Sequence, residues 1–251
     1  GKGWSSPVIA GEQIWLTTAA AKTPSEVEIE ARLASNTGNQ PLVVVSDLIM
    51  RAICLDRETG QIIHDIKLLT EAEPEPVHAL NSYASPTPLI ADGKVFCHFG
   101  PNGTACVDAL SGNILWTNQD KELVVKTENG AGSTPVLWRN RLIVHFDGSD
   151  KQFIAALDTA TGKVAWKTAR SGEMNPNPQL KKSYGTPLIV AIEGKDVVLS
   201  PASNWLYAYD PATGSELWKL GYEDLGFSVV PKPVEHNGTL FLSTSFMRAQ
   251  L

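Results

Sequence analysis

The chain has 251 residues, 43% of them hydrophobic and 8% aromatic, with a formal net charge of −6. Lys and Arg are scattered rather than clustered, which excludes an electrostatic footprint for nucleic acid, and no apolar run approaches the length of a membrane span. The three cysteines lack metal-ligand spacing, and the length suits a single all-β domain.

From the N-terminus, Ser6-Pro7 leads a short apolar strand at Val8-Ile9, and a second follows at Gln13-Ile14-Trp15-Leu16. Thr23-Pro24-Ser25-Glu26 reads as a helix start, with Thr23 as N-cap, Pro24 at the first helical position and Glu26 closing a capping box. The helix is expected over about 23–35, ended by the Asn and Gly of 36–38. The alternation of Glu26, Glu28, Glu30 and Arg32 with Val27, Ile29, Ala31 and Leu33 would also suit a strand. Ala52-Ile53-Cys54-Leu55 is the next strand and ends at Asp56. From Pro7 to Asp56 is 49 residues, against 23 from Pro135 to Asp158 and 23 from Pro187 to Asp210, so about 26 extra residues are inserted near Thr18 to Ser46.

Thr70 to Pro76 is acidic and proline-rich, an exposed connection. A second set of strands then begins after Pro86 or Pro88, between which the sequence does not choose, and turns at Gly100-Pro101-Asn102-Gly103. A third begins at Thr134-Pro135-Val136-Leu137, continues at Arg141 to His145 and turns at Asp147-Gly148-Ser149-Asp150. The linker from Arg170 to Leu180 is rich in Asn and Pro. A fourth set begins at Thr186-Pro187-Leu188-Ile189, and a fifth pair is expected at Val229 to Val234 and Thr239 to Thr244.

One phrase recurs through these sets. Asp108-Ala109-Leu110-Ser111-Gly112 leads to Trp116, Asp158-Thr159-Ala160-Thr161-Gly162 to Trp166, and Asp210-Pro211-Ala212-Thr213-Gly214 to Trp218. Asp56-Arg57-Glu58-Thr59-Gly60 leads to His64, where a Trp is expected. The glycines lie 52, 50 and 52 residues apart. Such a period signals a repeat architecture. In each copy Asp is expected to bond the backbone of a tight turn and Gly to supply its positive φ, so that two strands close into a hairpin. Two residues before each Asp stand Cys54, Cys106, Ala156 and Ala208, a position that selects a small buried side chain. Cys97, beside the strand of Cys106, leaves a cross-strand disulfide conceivable. Four antiparallel strands per period, A to D, describe one blade of a β-propeller.

The [Ala/Cys]-x-Asp-x-x-[Ser/Thr]-Gly-x-x-x-Trp phrase resembles the tryptophan-docking repeat of the PQQ-like β-propellers, which include quinoprotein alcohol dehydrogenases and BamB-type outer-membrane assembly lipoproteins. The resemblance covers nearly the whole chain. It implies an all-β propeller of four-stranded blades in which each Trp packs between neighbouring blades. The expected blades are about 6–69, 82–118, 133–169 and 183–220, with a half blade at 226–251, and all belong to one incomplete domain over 1–251. About 4.5 of the family's seven or eight blades are thus expected. The resemblance also implies a periplasmic or otherwise extracytoplasmic location.

In such a propeller the segments leading into each A strand share one face with the B–C connections. Trp4, Asn81, Tyr83, Lys182, Tyr184 and Phe227 would then line the channel mouth beside the inserted helix. Ser82-Tyr83-Ala84-Ser85-Pro86 and Ser183-Tyr184-Gly185-Thr186-Pro187 repeat one pattern there. These residues are the candidates for a ligand site; the alternative is that their hydroxyls bond blade to blade. The expected function is a non-catalytic scaffold that binds a protein partner through this face and the inserted helix, with no catalytic residue, metal or cofactor assigned. One alternative is a PQQ-dependent dehydrogenase of alcohols or sugars, holding PQQ with Ca²⁺. Against it stand the lack of the adjacent Cys pair of such enzymes and the lack of an Asp or Glu just before an A strand. A second alternative, a glycan-binding propeller, rests on Trp4, Tyr83, Tyr184 and Phe227. Asp147 and Asp150 read as turn residues, and His78, His98, His145 and His236 do not cluster in sequence.

Overall fold

The computed structural model describes residues 1–34, 40–222 and 226–244. The chain forms two compact units, Gly1–Ala131 and Gly132–Leu251.

In the first unit, β1 (Val8–Ala10), β2 (Gln13–Lys22), β4 (Asp47–Asp56) and β5 (Ile62–Ala72) form one antiparallel sheet in that order. Helix α1 (Glu26–Leu33) and the two-residue strand β3 (Leu42–Val43) lie in the β2–β4 connection, and β3 pairs with β6 (Val77–His78). A second sheet comprises β7 (Leu89–Ala91), β8 (Lys94–His98), β9 (Thr104–Asp108) and β10 (Ile114–Asn118). The start of β7 settles that Pro88, rather than Pro86, leads this blade. In the second unit one sheet runs β11 (Val136–Trp138), β12 (Arg141–Asp147), β13 (Gln152–Asp158) and β14 (Val164–Ala169). Another runs β15 (Leu188–Ile192), β16 (Lys195–Pro201), β17 (Trp205–Tyr209) and β18 (Glu216–Gly221). A hairpin of β19 (Val234–His236) and β20 (Thr239–Phe241) follows. The four meanders are propeller blades.

The repeated turn forms four times. The amide of the residue three after each Asp donates to its Oδ1 at 2.7 Å (Asp56), 2.7 Å (Asp108), 3.1 Å (Asp158) and 3.0 Å (Asp210). Gly60, Gly112, Gly162 and Gly214 take φ of 71°, 71°, 71° and 73°, a region that penalises a Cβ. A β-bulge follows every turn and swings the fourth strand so that His64, Trp116, Trp166 and Trp218 sit opposite Cys54, Cys106, Ala156 and Ala208.

That register explains the small residue. On its other side Cys54 faces Trp15, and Cys106 faces Phe96. The two large rings meet across it, Trp15 on His64 at 5.9 Å and Phe96 on Trp116 at 6.1 Å between centroids. A larger side chain in the middle would force them apart. Cys97 pairs with Ala105 rather than Cys106, so the two thiols point to opposite faces, and all three cysteines are free and buried. Burial pushes the Cys54 thiol up to about 11 and that of Cys106 up to about 12, which keeps both protonated.

The middle strands are buried on both faces. Val95, Phe96 and Cys97 are all inaccessible or nearly so, as are Leu142 to Val144 and Phe153 to Leu157. Consecutive apolar residues there are therefore core. Sheets pack face to face inside each unit, through Met50, Cys54, Val95 and Val107 in the first and Ile154, Trp166, Val198 and Tyr209 in the second.

Three expectations shift. The helix begins at Glu26, not near 23, because Ser25 rather than Thr23 caps it by accepting from the Glu28 amide at 3.3 Å. Its last residue is Leu33, with Ala34 as C-cap; the expected ending at 36–38 falls outside the described residues. The insertion does not start at Thr18: β2 and β4 stay paired to Lys22↔Asp47, so part of the extra length lengthens two strands to ten residues each. The fifth pair begins at Val234 rather than Val229, after Pro233, around an Asn237-Gly238 turn, and what was expected of 245–251 lies outside the described residues.

Candidate functional site

The segments leading into the A strands lock neighbouring blades together. In the first unit the Trp4 amide donates to the Ala84 carbonyl at 3.1 Å, and the Ser6 amide to the Thr87 hydroxyl at 3.2 Å. In the second unit the same pair of bonds recurs, Tyr184 N–H to Val229 O at 2.8 Å and Thr134 N–H to Thr186 Oγ1 at 3.4 Å. Trp4 and Tyr184 are therefore equivalent positions, each four residues before its strand. Tyr83 lies six residues before β7 and is not their equivalent, although its surrounding phrase matches that of Tyr184.

The six candidate residues divide three and three. In the first unit, Trp4 exposes 59% of its surface. Tyr83 is buried and donates its hydroxyl to the Glu75 carbonyl at 2.7 Å. Asn81 donates to Asn129 O at 2.7 Å and Ala131 O at 3.3 Å, and accepts from the Ser82 amide. In the second unit, Lys182 is 3% exposed, with Nζ on Gln179 Oε1 at 2.6 Å. The neighbouring Ser228 amide donates to the Lys182 carbonyl, which brings Phe227 beside Lys182 and Tyr184. Within each unit the backbone bonds bring candidates together, but the polar groups of Asn81, Tyr83 and Lys182 are committed to internal bonds. Trp4 alone offers a broadly exposed ring.

Arg32 ties the inserted helix down. Arg32 donates through Nη1 to Val45 O at 2.7 Å and through Nη2 to Pro74 O, tying α1 to the acidic connection. No residue of the helix is buried, and Val27 is 78% exposed.

His64 packs on the repeated turn of the second sheet. Its Nε2 lies 3.2 Å from the Leu110 carbonyl, so that nitrogen carries the proton, and its ring covers Gly112, where a Cβ would meet Nδ1 at 2.8 Å. Trp166 does the same in the second unit: Nε1 donates to Pro211 O at 3.1 Å, and a Cβ on Gly214 would lie 2.4 Å from the indole.

One cluster escaped the sequence reading. Asp147 is not a turn residue; it ends β12 and is 4% exposed. Arg170, expected at the start of the Asn- and Pro-rich linker, holds it bidentately, Nε to Oδ1 at 2.9 Å and Nη2 to Oδ2 at 2.8 Å. Arg170 Nη1 reaches the Ser200 hydroxyl at 2.7 Å and the Tyr209 hydroxyl at 3.2 Å, and His145 Nε2 lies 3.0 Å from Ser200 Oγ. Burial works against the Arg170 charge and Asp147 more than offsets it, so the guanidinium stays protonated. Burial pushes the Asp147 carboxyl up, and the guanidinium pulls it back down. Burial, seconded by Arg170, holds the His145 imidazole well below its ordinary range. The only sequence signal was an Arg directly after a D strand and an Asp two residues beyond a buried His. Among the described residues, no three His, Cys, Asp or Glu side chains stand close enough to share a metal ion.

The family model described as outer membrane protein assembly factor BamB matches residues 8–204. The chain belongs to this family of PQQ-like propellers. Outer membrane protein assembly factor BamB of Shewanella oneidensis is 27% identical over 144 residues, 54% of this chain and 32% of the relative. Quinohemoprotein alcohol dehydrogenase ADH IIB of Pseudomonas putida is 26% identical over 143 residues, 53% of this chain and 19% of the relative. The matches thus span a third or less of either curated relative. Among solved structures, BamB from Moraxella catarrhalis is 21% identical with a TM-score of 0.49, covering 77% of this chain and 52% of that one. Quinohemoprotein alcohol dehydrogenase from Comamonas testosteroni is 13% identical with a TM-score of 0.49, covering 91% and 41%.

Proposed function

We propose that this BamB-like propeller is a non-catalytic platform that binds a protein partner in an extracytoplasmic compartment. The observation that carries the reading is the inserted α1: it stands on a rigid sheet, buries none of its residues and is fastened through Arg32. Loops held on a rigid scaffold are where binding is placed. The match to a protein named as an outer-membrane assembly factor agrees with it.

The second reading, a quinone-dependent dehydrogenase, is favoured by the relative of that name. The candidate residues fit a quinone and its cation poorly. Asn81, Tyr83 and Lys182 have their polar atoms engaged internally, and Asp147 is locked to Arg170. The exposed Trp4 ring offers a stacking surface but no ligand for a cation. A glycan-binding role rests on the same ring, and a glycan array tests it.

The platform reading is tested by replacing 23–40 with a short flexible linker between Lys22 and Pro41, which leaves the buried Val44 and Val45 in place. The melting temperature is expected to hold while a cross-linked partner is lost. A retained partner overturns the assignment to α1; a fall of more than about 4 °C makes the insertion a structural cap instead.

A further inference from the structure

The Arg170 cluster joins two sheets of the second unit and contains one group that is not satisfied. His145 and Asp147 are alternate residues of β12 and share a face. Arg170 follows β14, and its Nη1 crosses to Ser200 on β16 and Tyr209 on β17. Among the described residues His145 Nδ1 is buried without a hydrogen-bond partner, and it lies 3.9 Å from Asp147 Oδ2.

The Asp147 carboxylate decides how the neutral cluster is wired. Arg170 can only donate, so Ser200 Oγ accepts from it; that oxygen can also accept from His145 Nε2 or donate to it, and the carboxylate facing Nδ1 selects the second. The imidazole proton then sits on Nδ1 and faces the carboxylate, too far away to bond. The other tautomer would aim a lone pair at a carboxylate. One carboxylate therefore stands between a cation that holds it and a ring that faces it.

A proton on Nε2 breaks this arrangement. Ser200 can no longer donate to the ring, and two cations then share a single buried counter-charge. The remaining groups against the cluster cannot take up the difference. Burial raises the Tyr207, Tyr209 and Tyr222 hydroxyls, which keeps them neutral, and Glu216 on β18 is held by Ser171 and lies 4.0 Å from Lys219. We propose that His145 is an acid trigger for the Arg170 clasp: a proton on its ring recruits Asp147 and releases the guanidinium from Ser200 and Tyr209, loosening the β15–β18 sheet from the β11–β14 sheet.

The sign follows from linkage. The folded ring refuses a proton that the unfolded side chain accepts near its ordinary 6.5, so stability falls as pH drops below that value. Relative to His145→Gln, which keeps a hydrogen-bonding side chain but cannot be protonated, the parent's unfolding constant should rise about tenfold for each pH unit below 6.5. A buried polar residue with a merely structural role would shift both proteins equally at every pH, and parallel profiles overturn the proposal. Should the variant fail to fold, hydrogen exchange of the parent decides. The segments 168–172 and 199–209 should exchange faster on acidification than intrinsic chemistry dictates, before the rest of the unit does; exchange at the intrinsic rate alone overturns it. In Arg170→Gln only the imidazole remains to pair with Asp147. Burial, the larger cause, still holds the ring below its ordinary range, so stability should still fall below pH 6.5 but level off at a higher pH than in the parent, and a profile that levels off no earlier contradicts the competition for Asp147.

Discussion

Gly60 and Gly214 occupy the same turn with the same backbone, φ of 71° and 73°, but different surroundings. A Cβ on Gly60 meets nothing within 4 Å, whereas one on Gly214 collides with the Trp166 ring at 2.4 Å. Gly60→Ala should therefore cost only the left-handed conformation, about 1–2 kcal/mol. Gly214→Ala should cost that plus about 1–3 kcal/mol for the overfilled contact. Denaturant midpoints of the two variants measure the difference, and equal losses would mean that the ring–turn contact contributes nothing. The turn itself was legible in the sequence because all its parts lie within five residues. The small residue before it was legible as a preference but not as a cause, since Trp15, Cys54 and His64 meet only through the register of three strands. Asp147 and Arg170 were misread for the same reason. They are 23 residues apart, and their contact depends on how the strands run, which no local spacing encodes.

At the scale of elements, the repeat predicted four blades and their strand order, because short local turns close every strand pair except β2–β4, which the insertion joins. The insertion was placed less well. Thr17 and Ala19 are inward residues of a strand continuing to Lys22, yet the alanine-rich run 19–21 carries no strand signal. The helix start was mistaken by two residues, Thr23 and Ser25 being equally able to cap. Arg32 gives this element its clearest test. Arg32→Ala removes both bonds to Val45 and Pro74 and leaves the Lys22↔Asp47 end of the sheet intact. Protease cleavage within 23–46 should accelerate while the melting temperature changes by less than about 4 °C. A larger fall would show that α1 supports the sheet rather than rides on it.

At the scale of the molecule, periodicity revealed the architecture because each blade must bury its faces against another like it. It left the role open because one fold hosts unrelated activities, and the two curated relatives carry names from both sides of that divide. The candidate site was legible only as a list of aromatic and polar residues. Which of them stay free for a ligand depends on hydrogen bonds such as Tyr83 to Glu75 and Lys182 to Gln179, which form only after the connections are packed. The central claim, a platform rather than a quinone enzyme, is most directly tested by titrating PQQ with Ca²⁺ into the full-length protein and following the fluorescence of its tryptophans. The account predicts no saturable change; quenching that saturates at one site would contradict it and make the protein a quinoprotein.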